Sequence, residues 1–170
     1  MDGESCCFIG HRKVKDASFL IERVKAIVAE LLLQNINRFL FGSRSEFNDI
    51  CLSVVSELKK EYPDIVRVYV RSLYPEISDM YKNYLLEGYD ETIFPKGMEN
   101  AGRASYVERN NYMIDNSSVC VFYYDDTYQP NIRKVLDSHL PAVQQKSGTK
   151  SAYEYAVKKQ KEIINVFNLV

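Results

Sequence analysis

Short runs of apolar residues alternate along this chain with longer segments whose apolar residues recur every three or four positions. Short apolar runs are typical of strands buried on both faces of a sheet, and the longer spacing is typical of helices that cover such a sheet. Their alternation predicts a doubly wound α/β fold, with a mostly parallel sheet of about six strands and helices on both faces. The predicted strands are residues 6–9, 38–41, 65–70, 91–94, 119–124 and 163–167.

Helices are predicted in the segments that separate these runs. Ser43 and Glu46 have the spacing of a capping box, which places the start of the second helix at Ser43. Ser78 is the expected cap of the third helix. The longest irregular stretch is 125–146, to which the sequence assigns no role. The predicted helices cover residues 20–32, 47–58, 77–85, 103–116 and 149–161.

Size and composition predict one folded domain over residues 1–170. The chain has 22 basic and 23 acidic residues, a formal charge of -1 and 46% apolar residues, which excludes an intrinsically disordered chain. The balanced charge gives no support for binding to long nucleic acids or to anionic membranes. No apolar run approaches the roughly 18 residues that span a bilayer. Asp2 and Glu4 stand where a signal peptide carries positive charge, so we expect a soluble protein of the cytoplasm.

The four cysteines do not have the spacing of a zinc site or of a disulfide framework. Three of them lie in predicted strands, and Cys51 lies on the apolar stripe of the second helix. We therefore expect buried, reduced thiols that pack as small apolar side chains. The sequence predicts no metal site and no cofactor.

Glycines with hydroxyl or basic neighbours lie where predicted strands end or helices begin. Parallel strands end at one edge of a sheet, and ligands of doubly wound sheets bind beyond that edge. Glycine permits close approach to the backbone, and free N–H groups at a helix start receive anions. The turn at residues 146–149 is the most specific of these, and we expect the phosphate of a ligand on Ser147, Gly148 and Thr149, with help from Gly42, Ser43 and Arg109. Asp125, after the fifth strand, either accepts from ribose hydroxyl groups or starts a turn. The candidate ligand-binding residues of these turns are Gly10, His11, Arg12, Gly42, Ser43, Arg44, Asp125, Ser147, Gly148 and Thr149.

Two common nucleotide-binding motifs are missing from the chain. Neither G-x-G-x-x-G nor G-x-x-x-x-G-K-[ST] occurs in it. Their absence disfavours an ordinary dinucleotide-binding fold and a P-loop nucleotidase.

Several short motifs resemble, in order along the chain, those of the SLOG superfamily of Rossmann-like domains. Residues 8–12, Phe-Ile-Gly-His-Arg, are similar to the start of YpsA-like proteins. Arg109 and Met113, followed by an apolar strand, resemble the R-K-x-x-M segment of LOG proteins. Residues 147–149, Ser-Gly-Thr, match the end of the LOG motif P-G-G-x-G-T-x-x-E. The resemblance implies a Rossmann-like domain that binds a nucleotide or a nucleotide-derived signal, with Arg109 among the ligand contacts.

The same resemblance leaves other functions open. LOG enzymes hydrolyse the N-glycosidic bond of nucleoside 5′-monophosphates, but their motif glutamate corresponds to Ala152 here, and residues 145–147 replace their Pro-Gly-Gly. If this chain is such an enzyme, Glu108 and Arg109 are the candidate catalytic residues. A non-catalytic interaction scaffold is a further alternative, and LOG-like proteins imply a homodimer.

Basic residues cluster at or near the predicted carboxyl edge of the sheet. An almost neutral chain is therefore predicted to carry one positive cleft. The expected partner is a small, nucleotide-like anion rather than a long polyanion. The basic residues in question are Arg12, Lys13, Arg44, Arg109 and Lys146.

Overall fold

The computed structural model describes residues 4–129 and 146–169 of the chain. Six strands and five α-helices alternate, as the sequence pattern predicts. The strands are β1 (Glu4–Gly10), β2 (Ile36–Phe41), β3 (Val66–Val70), β4 (Glu91–Ile93), β5 (Val119–Tyr123) and β6 (Glu162–Asn165). The helices are α1 (Ala17–Leu33), α2 (Glu46–Leu58), α3 (Asp79–Gly88), α4 (Ser105–Asp115) and α5 (Gly148–Lys158), with short 3-10 turns at Gly102–Ala104 and Val166–Leu169.

The six strands form one sheet in the order β4-β3-β2-β1-β5-β6, and every neighbouring pair is parallel. The chain moves outward from β1 to β4 and then returns to the other side of β1 to form β5 and β6. The direction of winding therefore changes between β1 and β5, which makes this a Rossmann-like, doubly wound sheet. The predicted fold class is confirmed.

Two apolar layers cover the sheet because the side chains of its strands alternate between the faces. Phe8 of β1 packs on one face with α1 and α2, together with Phe39 and Phe41 of β2. Ile9 points to the other face, where Met113 of α4 and residues of α5 cover it. Helices α1 and α2 thus lie on one side of the sheet, and α4 and α5 lie on the other.

The start of α2 differs from the predicted capping box. The cap is Ser45, whose Oγ accepts a hydrogen bond from the N–H of Asn48 at 3.1 Å. Glu46 does not reach back to Ser43, because its carboxylate accepts from the N–H of Val14 and its own N–H donates to the carbonyl of Arg12. Ser43 therefore stays outside the helix. The predicted cap at Ser78 is confirmed.

The last strand is shorter at its carboxyl end than predicted, because the side chain of Asn165 replaces backbone pairing there. Its amide donates to the carbonyl of Tyr124 at 2.9 Å and accepts from the Tyr124 N–H at 3.0 Å. The same oxygen accepts from the N–H of Phe167, and the chain turns into the 3-10 helix Val166–Leu169. Similarly, α5 ends at Lys158 and not at residue 161, because Gln160 adopts a left-handed conformation with φ 54.

All four cysteines lie within the described residues, are buried and form no disulfide, as predicted. Burial raises the pKa of the Cys6 and Cys51 thiols well above the ordinary value. Among the described residues, no helix combines the length and apolar character that crossing a membrane requires.

Candidate functional site

The candidate residues converge on the carboxyl edge of the sheet because of the topology. Every strand ends at this edge, and each of α1, α2 and α5 begins there after its strand. Helix α4 follows β4 through a loop and a 3-10 turn, and it also begins at this edge. The structure brings Gly42, Ser43, Arg44 and Arg109 together at the end of β2. It brings His11 and Asp125 together at the ends of β1 and β5.

Other side chains fill the space next to both glycines at strand ends, Gly10 and Gly42. A Cβ on Gly10 would overlap the Phe47 ring, so this glycine lets α2 pack closely on β1. A Cβ on Gly42 would lie 2.7 Å from Nε of Arg109 and 2.8 Å from Sδ of Met113. Gly42 therefore makes room for a buried arginine. At the turn before α5, by contrast, no atom of the described residues lies within 4 Å of a Cβ built on Gly148.

Arg109 is the most unusual of the predicted site residues. It lies in the first half of α4 and is only 5% exposed. Its Nη1 donates to the carbonyl of Gly42 at 2.5 Å, and its Nε and Nη2 donate to Oδ1 of Asn110 at 3.3 and 3.1 Å. The guanidinium also lies over the Tyr106 ring, 5.5 Å from its centroid. Three of its five N–H donors are thus used, which leaves two.

No carboxylate of the described residues lies within salt-bridge distance of the Arg109 guanidinium. Burial lowers the pKa of this group, and only the phenols of Tyr69 and Tyr106 oppose that effect. Two partly buried arginines of the fold are neutralised, in contrast: Arg38 pairs with Glu91 at 2.6 Å, and Arg67 pairs with Asp90 at 3.0 Å. Arg109 therefore carries a buried positive charge that no carboxylate of the described residues neutralises.

The turn that follows β2 presents further donors beside Arg109. The backbone N–H groups of Ser43 and Arg44 have no acceptor among the described residues. Arg44 is exposed, and its side chain is close enough to the Tyr69 phenol to lower the pKa of that group, although burial outweighs this and raises it. Gly42, Ser43, Arg44 and Arg109 thus form a group of donors with no acidic side chain in contact.

Arg71 belongs to the same edge and was not identified from the sequence. It follows β3 directly, just as the candidate turns follow β1 and β2. Its Nη1 donates to Oγ1 of Thr92 at 3.4 Å, and its Nη2 donates to the carbonyl of Pro75 at 3.2 Å. Its Nε is buried and has no hydrogen-bond partner. Its position directly after an apolar strand is the sequence feature that could have identified it as a candidate.

Arg44 also lines a cavity of about 440 Å³ beyond the end of β3. The walls are mostly aromatic and apolar, with the hydroxyl of Ser78 and the carboxylate of Glu76 added. The remaining lining residues are Tyr74, Ile77 and Tyr81. A second cavity of about 450 Å³ is lined by residues of β1, β2, β4 and α4, and it lies beside the Arg38–Glu91 ion pair.

His11 and Asp125 are structural partners at the ends of β1 and β5. His11 is 3% exposed, and its Nε2 accepts from the N–H of Asp125 at 3.0 Å. Burial lowers the pKa of this imidazole despite the nearby carboxylate. The Asp125 carboxylate accepts from the N–H and hydroxyl of Thr127 at 2.9 and 2.6 Å and pairs with Lys15 at 3.3 Å. Asp125 thus starts a turn, and its carboxylate is already engaged.

Aromatic rings surround this histidine. Tyr128 stacks on the imidazole with 4.2 Å between ring centroids, and Tyr124 lies 5.9 Å away. Tyr153 of α5 packs against Tyr124 at 4.6 Å. The half of the edge near β5 is therefore aromatic, whereas the half near β2 and β3 is cationic.

The Ser147 turn begins α5 as a normal cap. Ser147 Oγ accepts from the N–H of Lys150 at 3.0 Å, so this hydroxyl is used inside the protein. Thr149 is buried and Gly148 is exposed. Lys146 pairs with Glu154 at 2.7 Å, which neutralises one charge of the predicted cleft. Residues 130–145, most of the stretch to which the sequence assigned no role, lie outside the described residues.

The remaining candidates make no hydrogen bond or ion pair with Gly42, Ser43, Arg44 or Arg109 in the described structure. Glu108 is exposed on α4, and no hydrogen bond or ion pair connects it with Arg109. Arg12 and Lys13 are exposed in the loop after β1. Ala152, at the position of the LOG glutamate, is buried in the apolar layer between α5 and the sheet. Within the described part of the chain, no group of three His, Cys, Asp or Glu side chains could hold a metal ion.

A scan of the chain against models of protein families found no match, and a search of curated proteins found no similar sequence.

Proposed function

We propose that this protein binds a small phosphate-bearing ligand, a nucleotide or a nucleotide derivative, at the carboxyl edge of β2 and β1. One observation carries the proposal: the buried guanidinium of Arg109 has no carboxylate partner in the described structure. Taking a charge out of water is costly unless an opposite charge compensates for it. A bound phosphate supplies that charge and accepts the two N–H donors that remain.

The phosphate is assigned to the end of β2 rather than to the Ser147 turn. The N–H groups of Ser43 and Arg44 have no acceptor among the described residues, and two of the five N–H donors of the Arg109 guanidinium are also unused. The Ser147 hydroxyl, by contrast, already caps α5. Backbone N–H groups and a guanidinium together make a typical phosphate cradle.

The nucleoside part of the ligand extends toward β5 in this proposal. Strands β2, β1 and β5 are consecutive in the sheet, so their ends span about 10 Å at the usual strand spacing. That distance is comparable with the length of a nucleoside monophosphate. Tyr124, Tyr128 and Tyr153 supply aromatic surface on which a base can stack. This binding mode agrees with the ligand class that the SLOG resemblance implies.

Hydrolysis of an N-glycosidic bond is not proposed. Such chemistry needs a carboxylate at the reacting sugar, and no described carboxylate contacts Arg109. The Asp125 carboxylate is engaged by Thr127 and Lys15. The contacts of the described residues therefore favour binding, and they place no free carboxylate beside Arg109.

A thermal-shift comparison of nucleoside 5′-monophosphates with the matching nucleosides tests this function. A ligand that binds only the folded protein raises its melting temperature. We expect at least one monophosphate to raise the melting temperature more than its nucleoside does, because only the nucleotide carries a phosphate that compensates the positive charge of Arg109. Equal shifts for nucleotide and nucleoside with every base, or no shift with any of them, would refute the proposal.

A further inference from the structure

A second arginine at the carboxyl edge, Arg71, has a buried N–H donor without an acceptor. It lies one strand beyond the proposed phosphate position. Arg71 is half-buried and donates two long hydrogen bonds, to Thr92 and to the carbonyl of Pro75. Its Nε is buried without a partner. No carboxylate of the described residues lies within salt-bridge distance of Arg71 or of Arg44.

The three arginines of this region, Arg44, Arg71 and Arg109, all lie close enough to the Tyr69 phenol to interact with it electrostatically. Phe41 and Tyr69 are register partners, so Gly42 and Arg71 follow the ends of adjacent strands. Arg44 and Arg109 come from the turn beside Gly42 and from α4 above it. Burial lowers the pKa of Arg71 as it does that of Arg109, and the opposing groups are again phenols, those of Tyr81 and Tyr69.

Like charges gathered without carboxylates repel one another, and a ligand with more than one negative group relieves that repulsion. Space for such a ligand is available. Arg44, Ser78 and Tyr81 are among the residues that line the cavity of about 440 Å³. Glu76 also lines this cavity and is exposed. It makes no ion pair with Arg44 or Arg71 in the described structure.

We infer that the ligand carries a second anionic group, which binds between Arg44 and Arg71 while Arg109 holds the first. The ligand class is therefore a nucleoside diphosphate or another nucleotide derivative with two negative groups, rather than a simple monophosphate. This inference rests on the proposed function, since it adds a subsite to the same site. It also assigns a role to Arg71 and to the cavity beyond β3.

Calorimetric titration with two base-free probes, inorganic phosphate and inorganic pyrophosphate, tests the second subsite. A charge-assisted hydrogen bond corresponds to about tenfold or more in affinity. We expect the wild type to bind pyrophosphate at least about tenfold more tightly than phosphate. Arg71→Gln should reduce this ratio to about threefold or less and leave the affinity for phosphate unchanged. Arg71→Lys keeps the charge and should give an intermediate ratio.

Controls separate this inference from the proposed function and from loss of folding. Lys60→Gln removes an exposed charge near the end of α2, away from the carboxyl edge, and should keep the wild-type ratio. Melting temperatures without ligand show whether the Arg71 variants fold, and Arg71→Lys is the test variant if Arg71→Gln does not.

If phosphate binds through Arg109 but pyrophosphate has no advantage, the proposed function stands and the second subsite is refuted. Equal weakening of both probes by Arg71→Gln refutes the subsite as well. If neither probe binds the wild type, both are refuted.

Discussion

At the scale of single residues, the packing of Arg109 depends on the absence of a side chain at Gly42. The absence of a Cβ at Gly42 makes room for the arginine side chain, and the Gly42 carbonyl accepts one of its N–H groups. Sequence comparison with SLOG motifs could identify Arg109 as a candidate. It could not show that the residue is buried without a carboxylate, because burial and missing partners depend on elements far apart in the chain.

Replacing Gly42 with alanine tests this dependence. The added methyl group would lie 2.7 Å from Nε of Arg109 and must displace a buried side chain. Overpacking of this kind costs about 1–3 kcal/mol in the free energy of unfolding. We expect that loss in urea denaturation, together with weaker binding of the nucleotide that gives the largest thermal shift.

Gly148→Ala is the matched control for this substitution. Nothing lies within 4 Å of its added methyl group, and the position is the first of a helix. Its unfolding free energy should stay within about 0.5 kcal/mol of wild type. Equal costs at Gly42 and Gly148 would contradict the packing that we describe.

His11 makes the stability of the fold depend on pH. Burial lowers its pKa in the folded state below the unfolded value of about 6.5, so the unfolded chain binds the proton more readily. The stabilising contribution is complete above about pH 6.5 and is lost as the pH falls through the folded-state pKa. We expect the melting temperature to fall between about pH 7.5 and pH 5.5, and His11→Gln to make that fall smaller, because glutamine can accept from Asp125 but does not titrate.

A melting-temperature series over this pH range, with Lys60→Gln as the control, checks the prediction. The control should follow the wild type throughout. If His11→Gln and the wild type lose stability equally over the range, the buried neutral imidazole is not the cause.

At the scale of elements, periodicity was sufficient to predict all six strands and five helices. It failed where side chains end or start an element by a specific hydrogen bond. Asn165 ends β6 through its bonds to Tyr124, and Ser45 replaces Ser43 as the cap of α2. Two serines two residues apart both suit a cap in sequence, and the tertiary bonds of Glu46 to the loop after β1 decide between them.

The start of α2 can be tested with two serine substitutions. Ser45→Ala removes the acceptor of the Asn48 N–H and should lower the unfolding free energy by about 1 kcal/mol. Ser43→Ala should cost less than about 0.5 kcal/mol, because Ser43 bonds only to the Ser45 hydroxyl. Urea denaturation of the two variants gives both values. A larger loss of unfolding free energy in Ser43→Ala than in Ser45→Ala would instead support Ser43 as the cap, as the sequence predicts.

At the scale of the whole molecule, a chain with a net charge of -1 places three arginines that lack a carboxylate partner among the described residues at the carboxyl edge of its sheet. The sequence predicts a positive cleft at this edge, but the basic residues without an acidic partner there differ from the predicted set. Lys146 is neutralised by Glu154, whereas Arg71, which the sequence reading omitted, joins Arg44 and Arg109. Such pairings could not be predicted, because they depend on which side chains meet when the helices dock on the sheet.

The central claim is that Arg109 holds the negative group of a nucleotide-like ligand. Calorimetric titration of the wild type, Arg109→Gln and Lys60→Gln tests it most directly, with the nucleotide that gives the largest thermal shift and with its nucleoside. We predict that the wild type and Lys60→Gln bind the nucleotide at least about tenfold more tightly than the nucleoside. Folded Arg109→Gln should bind the two with nearly equal affinity. If this variant instead binds the nucleotide as tightly as the wild type does, the anion is not held by Arg109 and the account is contradicted.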